Sequence, residues 1–138
     1  MVNDLVSDML TRIRNASLAK HSLTFASYSK LNLAILKVLL AEGYIENYEV
    51  ETVKNSFKQI RIELKYKGWW IKKPFFSTLI RISKPGKRVF SGYKQYQKVI
   101  DILRYQQGMA IISTSSGVMS HPKAIQLKKG GEILCYVG

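Results

Sequence analysis

The stretch "QIRIELKYK", Gln59 to Lys67, alternates apolar and charged residues without a break. Its apolar residues fall on one face of an extended chain and its charged residues on the other: Ile60, Ile62, Leu64 and Tyr66 against Arg61, Glu63, Lys65 and Lys67. Strict period-two alternation predicts a strand with one buried face and one open face. Because helical patterns lie on both sides of this strand in the sequence, the predicted fold class is α+β.

Helical spacing and a further strand pattern precede this stretch. Asn3 or Asp4 is placed to cap a first helix, in which apolar residues recur at helical spacing as far as Ile13. The alternating stretch "LTFAS", Leu23 to Ser27, predicts a strand, and Ser29 is placed to cap a second helix. The element order predicted for the first half is α-β-α-β-β.

The second half is predicted to be mainly β with short helices. "STLIRIS" predicts a strand that ends in "KPGK", where Pro85 and Gly86 suit the central positions of a type II turn, and "RVF" returns as its partner strand. The remaining predicted elements are a helix in "YKQYQKVIDILR", buried strands in "GMAIIS" and "EILCYV", and a short helix in "SHPKAIQLKKGG", capped by Ser120 and ended at Gly130.

The positive charge is concentrated in the second half of this 138-residue chain. Residues 1–68 hold ten Lys or Arg and seven Asp or Glu, whereas residues 69–138 hold twelve and two, and the formal net charge is +13. We therefore expect two small packed subdomains, 1–68 and a basic 69–138. A charge of this sign and size favours a nucleic acid as partner. The Lys and Arg residues are dispersed singly or in pairs, which argues against binding to a membrane surface. The sequence also shows no secretory signal.

Few residues carry the chemistry of an enzyme. Cys135 is the single cysteine, so no internal disulfide is expected, and neither His21 nor His121 has the spacing of a metal site or triad. Each histidine is expected at the surface or at a cap, and no metal, cofactor or small-molecule substrate is expected. A small hydrolase or transferase built around Glu132 and Ser115 remains an alternative.

The uncharged loop in "ISTSSGVM" is a candidate for contacting a nucleic acid. Hydroxyl groups both donate and accept hydrogen bonds, so they suit base edges, ribose and phosphate, and Gly117 keeps the backbone clear. The alternative is that the hydroxyls only close a turn. Further candidates are Lys84, Lys87 and Arg88 for phosphates, Phe90 for stacking on an unpaired base, and Glu132 for orienting a cation or accepting from a base amino group. The loop candidates are Ser113, Thr114, Ser115, Ser116 and Gly117.

Four segments resemble small-subunit ribosomal protein eight of the bacterial type, in that family's order. They are "DLVSDMLTRIRNA", "RISKPGKRVF", "ISTSSGVM" and "GGEILCYV". The resemblance implies a non-catalytic protein that binds a helix in the central domain of the small-subunit rRNA early in assembly, beside neighbours such as proteins five, twelve and seventeen. It implies that Ser113, Thr114 and Ser115 read the rRNA, that Glu132 is a site residue, and that the first helix makes a secondary contact through Arg12, Arg14 and Asn15.

Departures from the family pattern bear on the source of the chain. Phe90 replaces a usual tyrosine, and "KVIDILRYQQG" is longer than expected. This drift and the lack of a presequence suggest an organellar gene, mitochondrial more than plastid, with a bacterial one as the alternative. A second functional alternative is a translational regulator that binds messenger RNA off the ribosome.

Overall fold

The chain folds into two units, each built from helices and strands. The structure is a computed structural model that describes residues 4–68, 73–74, 76, 78–102 and 108–138. The units are Met1–Ser77 and Thr78–Gly138. The fold class is therefore α+β, as predicted, and the division falls after Ser77, whereas the sequence analysis placed it after Gly68.

The first unit has the predicted α-β-α-β-β order. Its elements are α1 (Leu5–Leu18), β1 (Leu23–Ser27), α2 (Lys30–Ala41), β2 (Ile45–Val53) and β3 (Phe57–Leu64), followed by the short pair β4 (Tyr66–Lys67) and β5 (Lys73–Pro74). Three of the strands form an antiparallel sheet in the order β1-β3-β2. Helix α1 contacts β1 and helix α2 contacts β2.

Local side-chain bonds explain where the two helices begin. An Asp4 carboxylate oxygen accepts from the backbone N–H of Ser7 at 3.1 Å, so Asp4 caps α1, and Ser29 caps α2 through the N–H of Asn32 at 3.0 Å. Asn32 is fully buried, and its Nδ2 donates to the backbone oxygens of Ser27 at 3.0 Å and Leu5 at 3.3 Å. One side-chain amide thus connects α2 to the end of β1 and the start of α1.

Strand β3 shows the alternation predicted from the sequence. Ile60 and Ile62 are fully buried, while the alternate residues Arg61 and Glu63 are only partly buried. Arg61 bridges Glu49 of β2 at 3.7 Å and Glu63 at 3.5 Å on the other face of the sheet. The helices therefore cover one face of the sheet, and charged side chains occupy the opposite face.

The second unit is organised around its last strand. Its elements are β6 (Leu79–Arg81), β7 (Phe90–Ser91), α3 (Tyr96–Ile102), β8 (Met109–Thr114), β9 (Gly117–Ser120), α4 (His121–Gln126) and β10 (Gly131–Val137). Strand β10 pairs antiparallel with β6 and β7 along one edge and with β8 along the other, and β8 pairs with β9. Buried Tyr96 and Ala124 from the helices pack with Ile112 and Ile133 of the sheet.

The hairpin predicted around "KPGK" forms only at its tip. Lys84 and Lys87 exchange two backbone hydrogen bonds of 2.9 Å across the turn, but Gly86 lacks the positive φ of a type II turn, so the predicted turn type is wrong. The predicted pairing of "RVF" with "STLIRIS" is also wrong. The backbones of Ser83 and Val89 both bond to Ile133 of β10, so the two arms add to the last strand instead of to each other.

Two other details differ from the sequence prediction. Helix α4 ends at Gln126 because Lys128 has a left-handed backbone, with a φ of 56°. His121 is buried, and its Nδ1 accepts from the N–H of Ala110 at 3.0 Å, so the expected surface position is wrong. The end of the helix predicted in "YKQYQKVIDILR" falls on residues 103–107, which lie outside the described residues. The same residues form part of "KVIDILRYQQG", the segment that is longer than expected.

No helix among the described residues is long and apolar enough to cross a membrane.

Candidate nucleic-acid interface

The hydroxyl loop is the turn that joins β8 to β9. Thr114 and Gly117 are register partners, and Ser115 and Ser116 form the exposed tip between them. Gly117 has a φ of +113°, a conformation that strains residues with a side chain. Ser113, one residue before the turn, is half-buried within β8. The loop therefore presents two exposed serines on a short, defined turn.

The hydroxyls of this loop differ in what they bond. Thr114 Oγ1 donates to the backbone oxygen of Gly117 at 2.8 Å and accepts from the N–H of Ser116 at 3.1 Å. These two bonds close the turn, as the local alternative anticipated. Within the part of the chain that the structure describes, the hydroxyls of Ser115 and Ser116 have no protein partner. They are the hydroxyls most available to a ligand.

Gly131 allows the last strand to approach this loop. A Cβ built at Gly131 would lie 2.1 Å from the backbone oxygen of Ser113, which is far inside van der Waals contact. The close approach sets the register that places Glu132 of β10 directly between Phe90 of β7 and Ser113 of β8. Directly paired residues share one face of an antiparallel sheet, so these three side chains lie in one row beside the loop.

The row carries an ion pair and an exposed aromatic ring. Arg88 Nη1 donates to Glu132 Oε2 at 3.1 Å, and the Glu132 side chain is only 15% exposed. This contact fits the hypothesis that Glu132 orients a cation. Phe90 is 69% exposed, so the ring is not a core residue and is available for stacking. Lys84 and Lys87 lie exposed at the hairpin tip.

The candidate secondary site on the first unit is an open groove beside α1. Arg12 and Asn15 line this groove of about 380 Å³ together with His21 and Thr24, and Ala16 and Ala19 complete the lining. Arg12 Nε bonds to Asp8 at 3.1 Å, which holds its guanidinium along the helix. Arg14 bonds to Thr11 at 3.4 Å and does not line the groove, so the structure brings together two of the three predicted residues.

Several residues near these sites were not singled out from the sequence. The Ser83 hydroxyl is fully buried and bonds to both the N–H and the oxygen of Val89, at 2.9 and 3.3 Å, which fixes the arm leading to Phe90. His21 and Thr24 join the groove only because the chain turns back after α1. No sequence pattern marks either role, since both depend on contacts made by the fold.

Burial shifts the pKa values of side chains in the second unit, among them Cys135 and His121. Desolvation raises the pKa of the Cys135 thiol to about 12, against a smaller opposing effect of Arg81, so this cysteine stays a neutral thiol. Desolvation lowers the pKa of His121, although the hydrogen bond from Ala110 acts in the other direction. In the described residues no three His, Cys, Asp or Glu side chains are grouped to hold a metal ion.

Comparison with known proteins decides the family. A model of the family described as ribosomal protein S8 matches residues 4–137. The chain belongs to the ribosomal protein S8 family. Similar proteins named small ribosomal subunit protein uS8c occur in Gracilaria tenuistipitata var. liui, at 50% identity, and in Trieres chinensis, at 48%, each over 99% of both chains. The uS8 protein of Synechocystis sp. is 46% identical over 97% of this chain and 96% of its own.

Family membership confirms the resemblance found in the sequence. Members of this family are structural ribosomal proteins, so the protein is not an enzyme, and the alternative built around Glu132 and Ser115 is wrong. The relatives carry plastid and cyanobacterial names, so the mitochondrial expectation has no support among them.

Proposed function

We propose that this protein binds the small-subunit rRNA through the second unit, as an early structural component of the small ribosomal subunit. The specific ligand is a helix of the rRNA central domain that contains unpaired, splayed bases. The exposed hydroxyls of Ser115 and Ser116 read those bases, the Phe90 ring stacks on one of them, and Lys84 and Lys87 bind the flanking phosphates. Sequence-specific RNA recognition favours such unstacked bases.

The observation that carries this proposal is the convergence of the loop and the row at one end of one sheet. Gly131 brings β10 against Ser113, and the same register sets Glu132 and Phe90 beside the loop. Arg88 donates to Glu132, whose direct strand partner is the exposed Phe90. Hydroxyls, an aromatic face and cations are the three kinds of group that recognise irregular RNA.

We assign different roles to the individual residues of the loop. Because the Thr114 hydroxyl closes the turn, it supports the loop instead of reading the RNA, and Ser113 lies half-buried in the strand. Ser115 and Ser116 carry the recognition. In the first unit, the groove with Arg12, Asn15 and His21 makes the secondary contact with rRNA.

The ribosome in question is that of a plastid. Two of the relatives at 48% and 50% identity bear the uS8c name, and another is cyanobacterial. Neighbouring small-subunit proteins are the expected protein partners. Sedimentation separates this role from regulation of messenger RNA. A ribosomal protein should cofractionate with small subunits, whereas a regulator should be found mainly in fractions free of subunits.

Binding measurements on matched variants test the proposal. Ser115→Ala/Ser116→Ala should weaken binding to the cognate rRNA helix by about 1–3 kcal/mol per lost contact, by analogy with direct readout in DNA, and leave binding to scrambled RNA unchanged. Lys87→Ala should weaken binding to both RNAs and reduce the slope of log K against log salt by about one unit.

Thr114→Ser is the control for loop structure, because it keeps the hydroxyl that closes the turn. It should bind the cognate helix as the unmodified protein does. If the double serine variant folds and retains its full cognate preference, the loop does not read the RNA.

A further inference from the structure

Two lysines stand where α4 leads into β10, and the backbone there does not favour a lysine. Helix α4 ends at Gln126, and Lys128, two residues later, has a φ of 56°. Helices usually place glycine at this left-handed position, because a Cβ is crowded there. The fold alone would therefore favour glycine at position 128, and a lysine at this position costs stability.

The lysine side chains are not needed to end the helix. The backbone N–H groups of Leu127, Lys128 and Lys129 already bond to carbonyl oxygens in the last turn of α4, at 3.0, 3.0 and 2.9 Å. These bonds occupy carbonyl groups that a cationic side chain could otherwise cap. Lys128 is exposed and Lys129 is half-buried. Helix capping therefore does not account for the two positive charges.

The acidic side chains of the second unit are engaged elsewhere. From residue 69 onward the sequence has two of them, Asp101 and Glu132. Asp101 accepts from Gln97 Nε2 at 2.9 Å, and Glu132 accepts from Arg88 at 3.1 Å. Over residues 4–68, 73–74, 76, 78–102 and 108–138, the two lysines form no ion pair. Two adjacent cations without an acidic partner attract an anion, and the proposed RNA ligand carries phosphates.

Strand register places these lysines at the end of the second sheet that holds the hydroxyl loop. Ser91 of β7, Gly131 of β10 and Thr114 of β8 lie in one row across the sheet. Lys129 is two residues from Gly131, so its Cα lies within about 13 Å of the Thr114 Cα. The buried Tyr96 hydroxyl donates to the backbone oxygen of Lys129 at 2.8 Å. Contacts within the fold thus hold this segment close to the loop.

The row of Phe90, Glu132 and Ser113 lies between two basic segments. The hairpin with Lys84 and Lys87 at its tip leaves the sheet beside Ile133, one residue after Glu132. Lys129 and Lys128 precede Glu132 by three and four residues. Cations therefore stand on both sides of the row along the direction of β10.

We infer that Lys128 and Lys129 bind phosphates of the RNA backbone on the side of the row opposite the hairpin tip. The RNA backbone then crosses the row roughly along β10, so that the base stacked on Phe90 lies between two sets of phosphate contacts. This inference rests on the proposed RNA site and adds to it a segment that the proposed function does not use. Phosphate binding accounts for a lysine where the backbone favours glycine.

Salt-dependent binding of a double variant tests the inference. Lys128→Gly/Lys129→Gln removes both charges and gives position 128 the residue that its backbone favours, so the urea midpoint should not fall. Binding to cognate and scrambled RNA should nevertheless weaken by about 25- to 60-fold at 0.1 M salt relative to 1 M. The slope of log K against log salt should fall by about 1.4–1.8, since each phosphate contact contributes about 0.7–0.9. An unchanged slope would overturn the inference.

Two matched variants serve as controls. Lys128→Arg/Lys129→Arg keeps both charges and should bind both RNAs with the original salt slope. Lys30→Gln/Lys37→Gln makes the same change in net charge at two exposed positions of α2, neither of which lines the groove beside α1. It should leave the slope unchanged, and an equal fall in slope would assign the effect to net charge and refute a phosphate contact at the two lysines.

The ratio of cognate to scrambled binding separates this inference from the proposed function. Loss of phosphate contacts leaves that ratio unchanged, whereas loss of base contacts lowers it. If Ser115→Ala/Ser116→Ala lowers the ratio and the lysine variant keeps the original salt slope, the inference fails alone. If the lysine variant lowers the slope and the serine variant keeps the ratio, the proposed reading by the loop fails alone. A lower ratio in the lysine variant would contradict phosphate binding.

Discussion

Substitution of Gly131 by alanine should destabilise the second unit far more than the same change at Gly130. A Cβ at Gly131 would lie 2.1 Å from the backbone oxygen of Ser113, so the strands must separate by about 0.9 Å to reach even a 3.0 Å contact. Both atoms belong to backbone-fixed positions, so no rotamer change relieves the overlap. A Cβ at Gly130 would meet the backbone oxygen of Ser91 at 3.0 Å, which needs only a small adjustment.

The expected cost follows from this overlap. Separating β10 from β8 strains the ladder next to the loop, and lost backbone hydrogen bonds contribute about 1 kcal/mol each. Together with steric strain, Gly131→Ala should lower the free energy of unfolding by about 3 kcal/mol, at the upper end of ordinary overpacking. Gly130→Ala should lower it by about 1 kcal/mol or less, at the lower end of that range.

Urea unfolding of the full chain, followed by circular dichroism, measures both values by linear extrapolation. The m-values should stay the same, so that shifts in midpoint report stability. If the two variants unfold within about 0.5 kcal/mol of each other, a difference within the error of such extrapolations, the close approach of β10 to Ser113 is not a constraint on the fold.

Three further predictions concern buried polar groups. Because burial lowers the pKa of His121 below its ordinary value, the unfolded chain binds the proton more readily, and stability present above about pH 6.5 should be lost as the pH falls through the folded pKa. His121→Asn keeps an acceptor for Ala110 and should flatten the dependence of the unfolding free energy on pH below about 6.5; an unchanged dependence would assign it to other groups. Asn32→Asp should lower the free energy of unfolding by about 3–5 kcal/mol at neutral pH, because it puts a buried carboxylate against two carbonyl oxygens. Asn32→Ala should lower it by less, and equal unfolding midpoints for the two variants would refute this. Cys135, with a pKa near 12, should react with a thiol reagent at pH 8 at least about a thousandfold more slowly in the native chain than in urea, and rapid native labelling would show that the strand opens.

Local patterns in the sequence predicted the first unit well. The cap at Asp4, the strand from Leu23 to Ser27 and the alternation around Ile60 each depend on neighbours within a few residues, and each was found in the structure. The physical reason is that helix caps and period-two burial are short-range signals, which a single sequence contains in full.

The second unit was harder because its decisive contacts link distant residues. The arms around "KPGK" pair with β10, more than forty residues later, because Ser83 and Val89 both bond to Ile133. His121, at the start of α4, is buried and accepts a hydrogen bond from the N–H of Ala110 in β8. Neither contact produces a periodic pattern in the sequence, so a hairpin and a histidine at the surface or at a cap were predicted instead.

The candidate site was predictable in its composition but not in its division of roles. The hydroxyl loop, the cations and Phe90 stood out as residue types that suit RNA. The geometry of one four-residue turn decides which hydroxyl closes it. Thr114 closes the turn, whereas Ser115 and Ser116 stay exposed. The pairing of Arg88 with Glu132 likewise depends on strand register over 44 residues.

Crosslinking of rRNA to this protein within assembled small subunits tests the central claim most directly. With 4-thiouridine in the rRNA, irradiation and peptide sequencing should place nucleotide adducts on the segment that contains Ser115 and Ser116, and on the hairpin that contains Lys84 and Lys87. Adducts confined to the first unit, with residues 113–117 and 84–90 unmodified in subunits that contain the protein, would contradict RNA recognition by the second unit.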